Sequence, residues 1–260
     1  MCSKISLMIM MCVPAVCGGC IIKPWKDSQP FATRERYERG LVIVLPGIEG
    51  RSSLNENICR GLNEGGVNWA IELDDWTTKF PGVSLWLESR NRDKAEELAR
   101  RIVQYQVYYP GRPVVLVGQS GGGAIAAWAA ETMMPNRKID GIIMLAATLS
   151  PEYRLDRALN NTKRGIISFY SDQDWVLATT KIFLTMDGKH SMGAGRVGFE
   201  VPTGSSMPAA YRKLYQVAWN EGGHISTGSR GLNERYVAPL VLADQWNAQL
   251  IRNVLAGKGR

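Results

Sequence analysis

The stretch Val114-Val115-Leu116-Val117-Gly118-Gln119-Ser120-Gly121-Gly122-Gly123-Ala124-Ile125-Ala126-Ala127-Trp128 decides how the rest of the chain is read. Its first four residues are apolar without interruption, the pattern of a parallel strand buried on both faces. From Gly122 the chain becomes Ala-rich and reads as a helix to Met134, stopped by Pro135. Between strand and helix stands G-x-S-x-G, Gly118 to Gly122. A serine on such a sharp turn adopts strained backbone angles, and glycines two residues to either side let strand and helix approach without Cβ clashes. The following helix then points its N-terminal amides at the serine. In a chain with 27 glycines the bare pattern is weak, and its placement gives it weight. No Gly-Lys-Ser/Thr follows, so it is not a phosphate-binding P-loop.

The same alternation runs outward in both directions. Upstream, Leu41 to Pro46 reads as a buried strand, Ser53 to Asn63 as a helix, Asn68 to Leu73 as a second strand and Asp93 to Tyr109 as a long amphipathic helix. Downstream, Ile139 to Ala147, Ile166 to Tyr170 and Leu214 to Trp219 read as strands. Val176 to Thr185 reads as a helix, and Leu232 to Leu255 as a closing helix broken near Pro239. Strands alternating with helices predict an α/β fold: a mostly parallel sheet of at least six strands, helices on both faces, right-handed crossovers. Chemistry in such sheets sits at the carboxyl ends of the strands.

A serine hydroxyl needs a base, and the base needs a group to orient it. The chain has two histidines. His224, in WNEGGHIS, follows the last strand closely, whereas His190 is separated from the fifth strand by a whole helix, so His224 is preferred. After the fifth strand the chain reads FYSDQDWVL and offers Asp172 and Asp174. One of the two is expected to cap the helix that follows, and the other to orient the histidine.

The order serine, aspartate, histidine on this framework resembles the α/β-hydrolase superfamily of serine esterases, lipases and thioesterases, from about Gly40 to Pro239. The family's acid stands three residues after a small residue, with Val soon after; Ser171, Asp174 and Val176 match, which favours Asp174 over Asp172. The resemblance implies Ser120 as nucleophile, His224 as base, Asp174 as its orienter and an acyl-enzyme intermediate, with no metal or organic cofactor. It also implies a Gly-containing oxyanion turn after the first central strand. Pro46-Gly47-Ile48-Glu49-Gly50 stands there, with Pro where the family often has His, and the implied donors are the N–H groups of Ile48 and Gly121. A carboxylate beside an oxyanion is unfavourable, so the Glu49 side chain is expected to point away. Thr148 to Arg164 leaves room for a small cap at most, and Met186 to Ala210, rich in Gly, Ser and Pro, could drape over the site. Trp76 and Trp175 are candidate pocket walls.

The chain has 260 residues, 45% of them hydrophobic and 21% charged, which excludes disordered and collagen-like classes. Its net charge of +7 is spread along the chain, so no nucleic-acid partner is expected. Residues 1–19 read as a signal peptide: Lys4, an apolar stretch from Ile5 to Val16, then Gly18 and Gly19 before Cys20. This resembles a bacterial lipoprotein signal in which Cys20 is lipidated, although Cys17 stands where Leu is preferred. A plain cleaved signal is the alternative. Residues 20–39 are then a tether and lead-in, and 40–260 the hydrolase-like domain. The expectation is an exported enzyme, anchored in the membrane of a cell envelope through lipid, that acts on a small-molecule or lipid ester. An acyltransferase on the same residues, or a binding module that has lost catalysis, are the rivals.

Overall fold

All five residues of the run Leu41–Leu45 are buried, as an apolar run with no polar position requires, and they form the first strand of the sheet. The computed structural model describes residues 29–80, 83–178, 184–203 and 208–257; the segment read as a signal peptide and Cys20 lie outside the described residues. Six strands, β1 (Leu41–Leu45), β2 (Ala70–Leu73), β3 (Val114–Gln119), β4 (Ile139–Leu145), β5 (Thr162–Tyr170) and β6 (Leu214–Ala218), make one sheet in the order β2-β1-β3-β4-β5-β6. Every neighbouring pair is parallel. This is the parallel α/β sheet that the alternation predicts.

Strand periodicity sorts the core into two layers. Leu41, Ile43, Leu45, Leu116, Ile142 and Met144 face one side, where they pack with Ala95, Leu98 and Ile102 of helix α2 (Glu88–Tyr108) and Ile125 and Trp128 of α3 (Gly121–Glu131). Val42, Val44, Val115, Val117, Ile143 and Phe169 face the other, against Ile58 and Leu62 in the helix before them, α1 (Ser53–Glu64), and the C-terminal helical segments.

The chain leaves β1 for the edge strand β2, then crosses back to β3 on the other side of β1. The order reverses between β1 and β3, so their carboxyl ends mark a topological switch point, where ligands of such sheets generally bind. The turn Pro46 to Gly50 leaves one side of it and Ser120 the other.

Element limits differ from the sequence reading where side chains hide the pattern. The helix α2 begins five residues before Asp93. β5 starts at Thr162, because Arg164 satisfies itself on the carbonyls of Val241 and Ala243 at 2.9 and 2.5 Å and so enters the sheet buried. The closing helix does not break at Pro239. A π-turn, Asn233–Val237, precedes Ala238–Leu242, which takes Pro239 in its first turn where no amide proton is needed. The chain leaves helix after Leu242 and resumes it at Ala248–Leu255, capped by Asn247. Of the helix expected over Val176 to Thr185, Trp175–Ala178 is seen, and residues 179–183 lie outside the described residues.

Candidate active site

Ser120 caps α3 with φ 53° and ψ −120°, a conformation that L-residues rarely adopt. Contacts on every side hold it there. Its N–H donates to Leu145 O at 2.9 Å, and its carbonyl accepts from the N–H groups of Gly123 at 3.0 Å and Thr148 at 3.2 Å. The glycines are required sterically: a Cβ on Gly118 would collide with the Gly122 carbonyl, and one on Gly122 with the carbonyl of Leu45. The Ser120 hydroxyl lies 3.0 Å from Thr148 Oγ1, on the loop after β4. Among the described residues no hydrogen bond joins it to His224.

Asp174 follows β5 and is fully buried. Its Oδ1 accepts from the Leu177 N–H at 2.8 Å, so it caps the short helix, and its Oδ2 lies 2.8 Å from His224 Nδ1. One aspartate therefore does both jobs that the sequence reading divided between two. A carboxylate can only accept, so Nδ1 carries the proton and Nε2 keeps the lone pair. Arg196 donates to the Asp174 carbonyl at 2.6 Å and braces the acid loop. The alternatives, Asp172 and His190, are exposed.

The turn Pro46 to Gly50 is held from two directions. Trp76, 3% exposed, donates its indole N–H to Pro46 O at 2.8 Å. Asn55 donates to Gly50 O at 2.9 Å and to Ser52 Oγ at 2.9 Å, while its Oδ1 accepts from the Ser52 N–H at 3.0 Å. These bonds form the capping box of α1 and tie the turn to that helix. Ile48 and Trp76 both border Gly121: its Cβ position would stand 3.1 Å from Ile48 Cγ2 and 3.1 Å from Trp76 Cζ2. Trp76 thus braces the turn, and Trp175 is 55% exposed on the surface beyond Asp174.

Glu49 is half-buried. Its carboxyl folds back over Gly47, where any Cβ would collide with Oε2, and Asn55 Nδ2 approaches Oε1 at 3.5 Å. Burial pushes its pKa up, and the backbone N–H groups of Glu49 and Gly47, the Asn55 amide and, when protonated, His224 oppose this.

The segment from Met186 packs beside β4 and β5. The Met186 N–H donates to Thr148 O at 2.8 Å, Gly195 to Ala147 O at 2.8 Å, and the Ser171 N–H to Gly195 O at 2.9 Å. Sequence reasoning missed Thr148, Asn55 and Arg196. Thr148 had a usable signal, since it follows the carboxyl end of a central strand; the others act through contacts distant in sequence.

Among the described residues no group of three His, Cys, Asp or Glu could hold a metal, and no helix is long and apolar enough to cross a membrane.

No protein-family profile matches the chain, and no curated protein does. Solved structures do match. A protein from Staphylococcus aureus assigned as an esterase aligns with TM-score 0.51 and 11% identity over 83% of this chain and 79% of its own. The esterase domain of a Rhodothermus marinus protein aligns with TM-score 0.43 and 14% identity over 82% and 87%, and esterase PE8 with TM-score 0.44 and 12% identity over 72% and 85%. At such identities the likeness is one of fold.

Proposed function

We propose that the protein is a serine hydrolase that cleaves a carboxylic ester or thioester through an acyl-enzyme. One observation carries the reading: a strained serine at the switch point, with a buried aspartate after β5 and a histidine after β6 hydrogen-bonded to each other.

In this mechanism Ser120 Oγ leaves Thr148 and attacks the carbonyl carbon while His224 Nε2 takes its proton. Asp174 holds the tautomer and stabilises the imidazolium. The N–H groups of Ile48 and Gly121 receive the oxyanion, and each such donor contributes roughly 3–4 kcal/mol to the transition state in comparable enzymes. His224 returns the proton to the leaving group, and a water activated by the same imidazole discharges the acyl group.

The test is covalent labelling with a fluorophosphonate probe. Wild type is expected to label and Ser120→Ala is not; a folded wild type that fails to label overturns the reading. Export and a lipid anchor at Cys20 are also proposed, on the sequence of residues 1–20 alone. Mass spectrometry of the mature protein is expected to find an acylated Cys20, and an unmodified terminus elsewhere refutes the anchor.

A further inference from the structure

At the end of the sheet opposite Ser120, the segments that enter β3, β4 and β5 surround an open groove of about 450 Å³. Four cations line it, Arg112, Arg137, Lys138 and Lys163, and no acid does. Arg112 stands two residues before β3, Arg137 and Lys138 directly before β4, and Lys163 is the second residue of β5. They form no run in the sequence. The parallel pairing of β3 with β4 and of β4 with β5 brings them together.

The loops around the groove are fixed. Gly111 and Asn136 turn the chain at φ 78° and φ 65°, a region open to glycine and tolerated by asparagine. The Arg112 N–H donates to Tyr109 O at 3.2 Å and the Arg137 N–H to Met134 O at 3.0 Å. Gln106 Nε2 donates to Lys138 O at 2.8 Å and ties α2 to the loop before β4.

The positive charge is not balanced within the chain. Among the described residues Arg112, Arg137 and Lys138 make no ion pair. The neighbouring acid, Asp140, is already engaged: it accepts from the Val114 N–H at 2.8 Å, and it meets Lys163 at 3.3 Å and Arg164 at 3.9 Å. Lys213 adds to the excess. Burial and then the charge of Lys138 push its ammonium below the ordinary lysine range, although its Nζ donates to the carbonyls of Leu159 and Thr162, each at 2.7 Å. Like charges gathered without a counter-charge repel one another, and a bound anion relieves that repulsion.

We propose that this groove binds a ligand carrying two linked phosphate groups. Its volume lies in the range of small-molecule sites, roughly 300–1,000 Å³. One phosphate carries about −1.5 to −2 near neutral pH, so two linked phosphates match the three unpaired cations. Arginine forks grip phosphate oxygens in pairs, and lysine supplies a point charge. The length of β3 separates the groove from Ser120 by about 20 Å, at 3.3 Å per residue. The site stands whether or not Ser120 is a nucleophile. A free diphosphate and a lipid with a diphosphate headgroup offer the same chemistry.

Calorimetric titration of the full chain with inorganic pyrophosphate, in about 0.1 M salt, tests the proposal. The expected Kd is about 100 μM or tighter, with orthophosphate and citrate each binding about tenfold or more weakly. Arg137→Gln and Lys138→Gln should each raise the pyrophosphate Kd about tenfold or more. Lys94→Gln, at a cation paired with Glu97 on α2, should leave it unchanged. Pyrophosphate should also raise the Tm of wild type and not of Lys138→Gln, while the two proteins share one Tm without it, which excludes a folding defect. Vesicles of phosphatidylcholine doped with a diphosphate lipid assign the source: retention of wild type but not Lys138→Gln shows a headgroup site, and binding of free pyrophosphate alone shows a soluble ligand. A Kd in the millimolar range with no vesicle retention overturns the proposal, as does a Kd that neither groove variant changes, or citrate binding as tightly as pyrophosphate. Failure of wild type to label with the fluorophosphonate would remove the hydrolase reading and leave this titration unaffected.

Discussion

Asp174 and Asp172 are two residues apart in one turn, yet one is fully buried against His224 and the other is exposed. Their substitutions should separate accordingly. Asp174→Asn is expected to leave His224 in the wrong tautomer and lower kcat by roughly 10⁴, while Asp172→Asn and His190→Ala leave kcat near wild type. Steady-state kinetics on one activated ester checks all three. Thr148 belongs to the same scale. In the proposed mechanism its hydroxyl competes with His224 for Ser120, and a single hydrogen bond contributes a net of about 0.5–1.5 kcal/mol. Thr148→Val should therefore speed fluorophosphonate labelling a few-fold, and a slower rate would show that Thr148 supports the nucleophile instead.

At the scale of elements, the site is a set of turns held by their neighbours. The Pro46–Gly50 turn hangs from Trp76 on one side and from the capping box of α1 on the other. Trp76→Phe keeps an aromatic ring in place and leaves the buried Pro46 carbonyl without its donor, which costs about 1–3 kcal/mol. The expected result is a lower Tm and a lower kcat with little change in KM, because the role proposed for the turn lies in the transition state. The elbow between β3 and α3 is less forgiving. Gly122→Ala drives a Cβ into the carbonyls of Leu45 and Pro46, and overpacking against backbone costs about 1–3 kcal/mol or more. Thermal unfolding should show this loss, and an unchanged Tm would mean that strand and helix can separate more freely than their packing implies. These dependencies also explain what the sequence concealed. Asn55 reads as an ordinary helix residue, and its bonds to Gly50 and Ser52 exist only once the loop has folded back upon it.

On the scale of the whole molecule, two core layers sandwich the sheet, and Cys59 lies fully buried in the layer that contains α1. Burial pushes its thiol far above the ordinary range, so the reactive thiolate is absent from the native state. Alkylation at Cys59, followed by digestion and mass spectrometry, should proceed at the rate of global unfolding. Fast alkylation under native conditions would reveal local opening of α1. The strand order belongs to this scale as well. The alternation of elements predicts a parallel sheet, but placing Ser120 opposite the Pro46–Gly50 turn requires β2 and β3 to lie on opposite sides of β1.

The sequence by itself determined the fold class and the serine turn, because both are local signals: apolar runs of strand length, helical periodicity, and glycines around one serine. It also narrowed the candidate partners of that serine to His224, the one of two histidines that closely follows a strand, and to two aspartates after the fifth strand. Tertiary structure alone decided that Asp174 and His224, fifty residues apart, share a hydrogen bond, that Thr148 holds the serine hydroxyl, and that Glu49 folds back over Gly47. Each of these depends on which loops meet above the sheet, and burial, not spacing along the chain, sets those meetings.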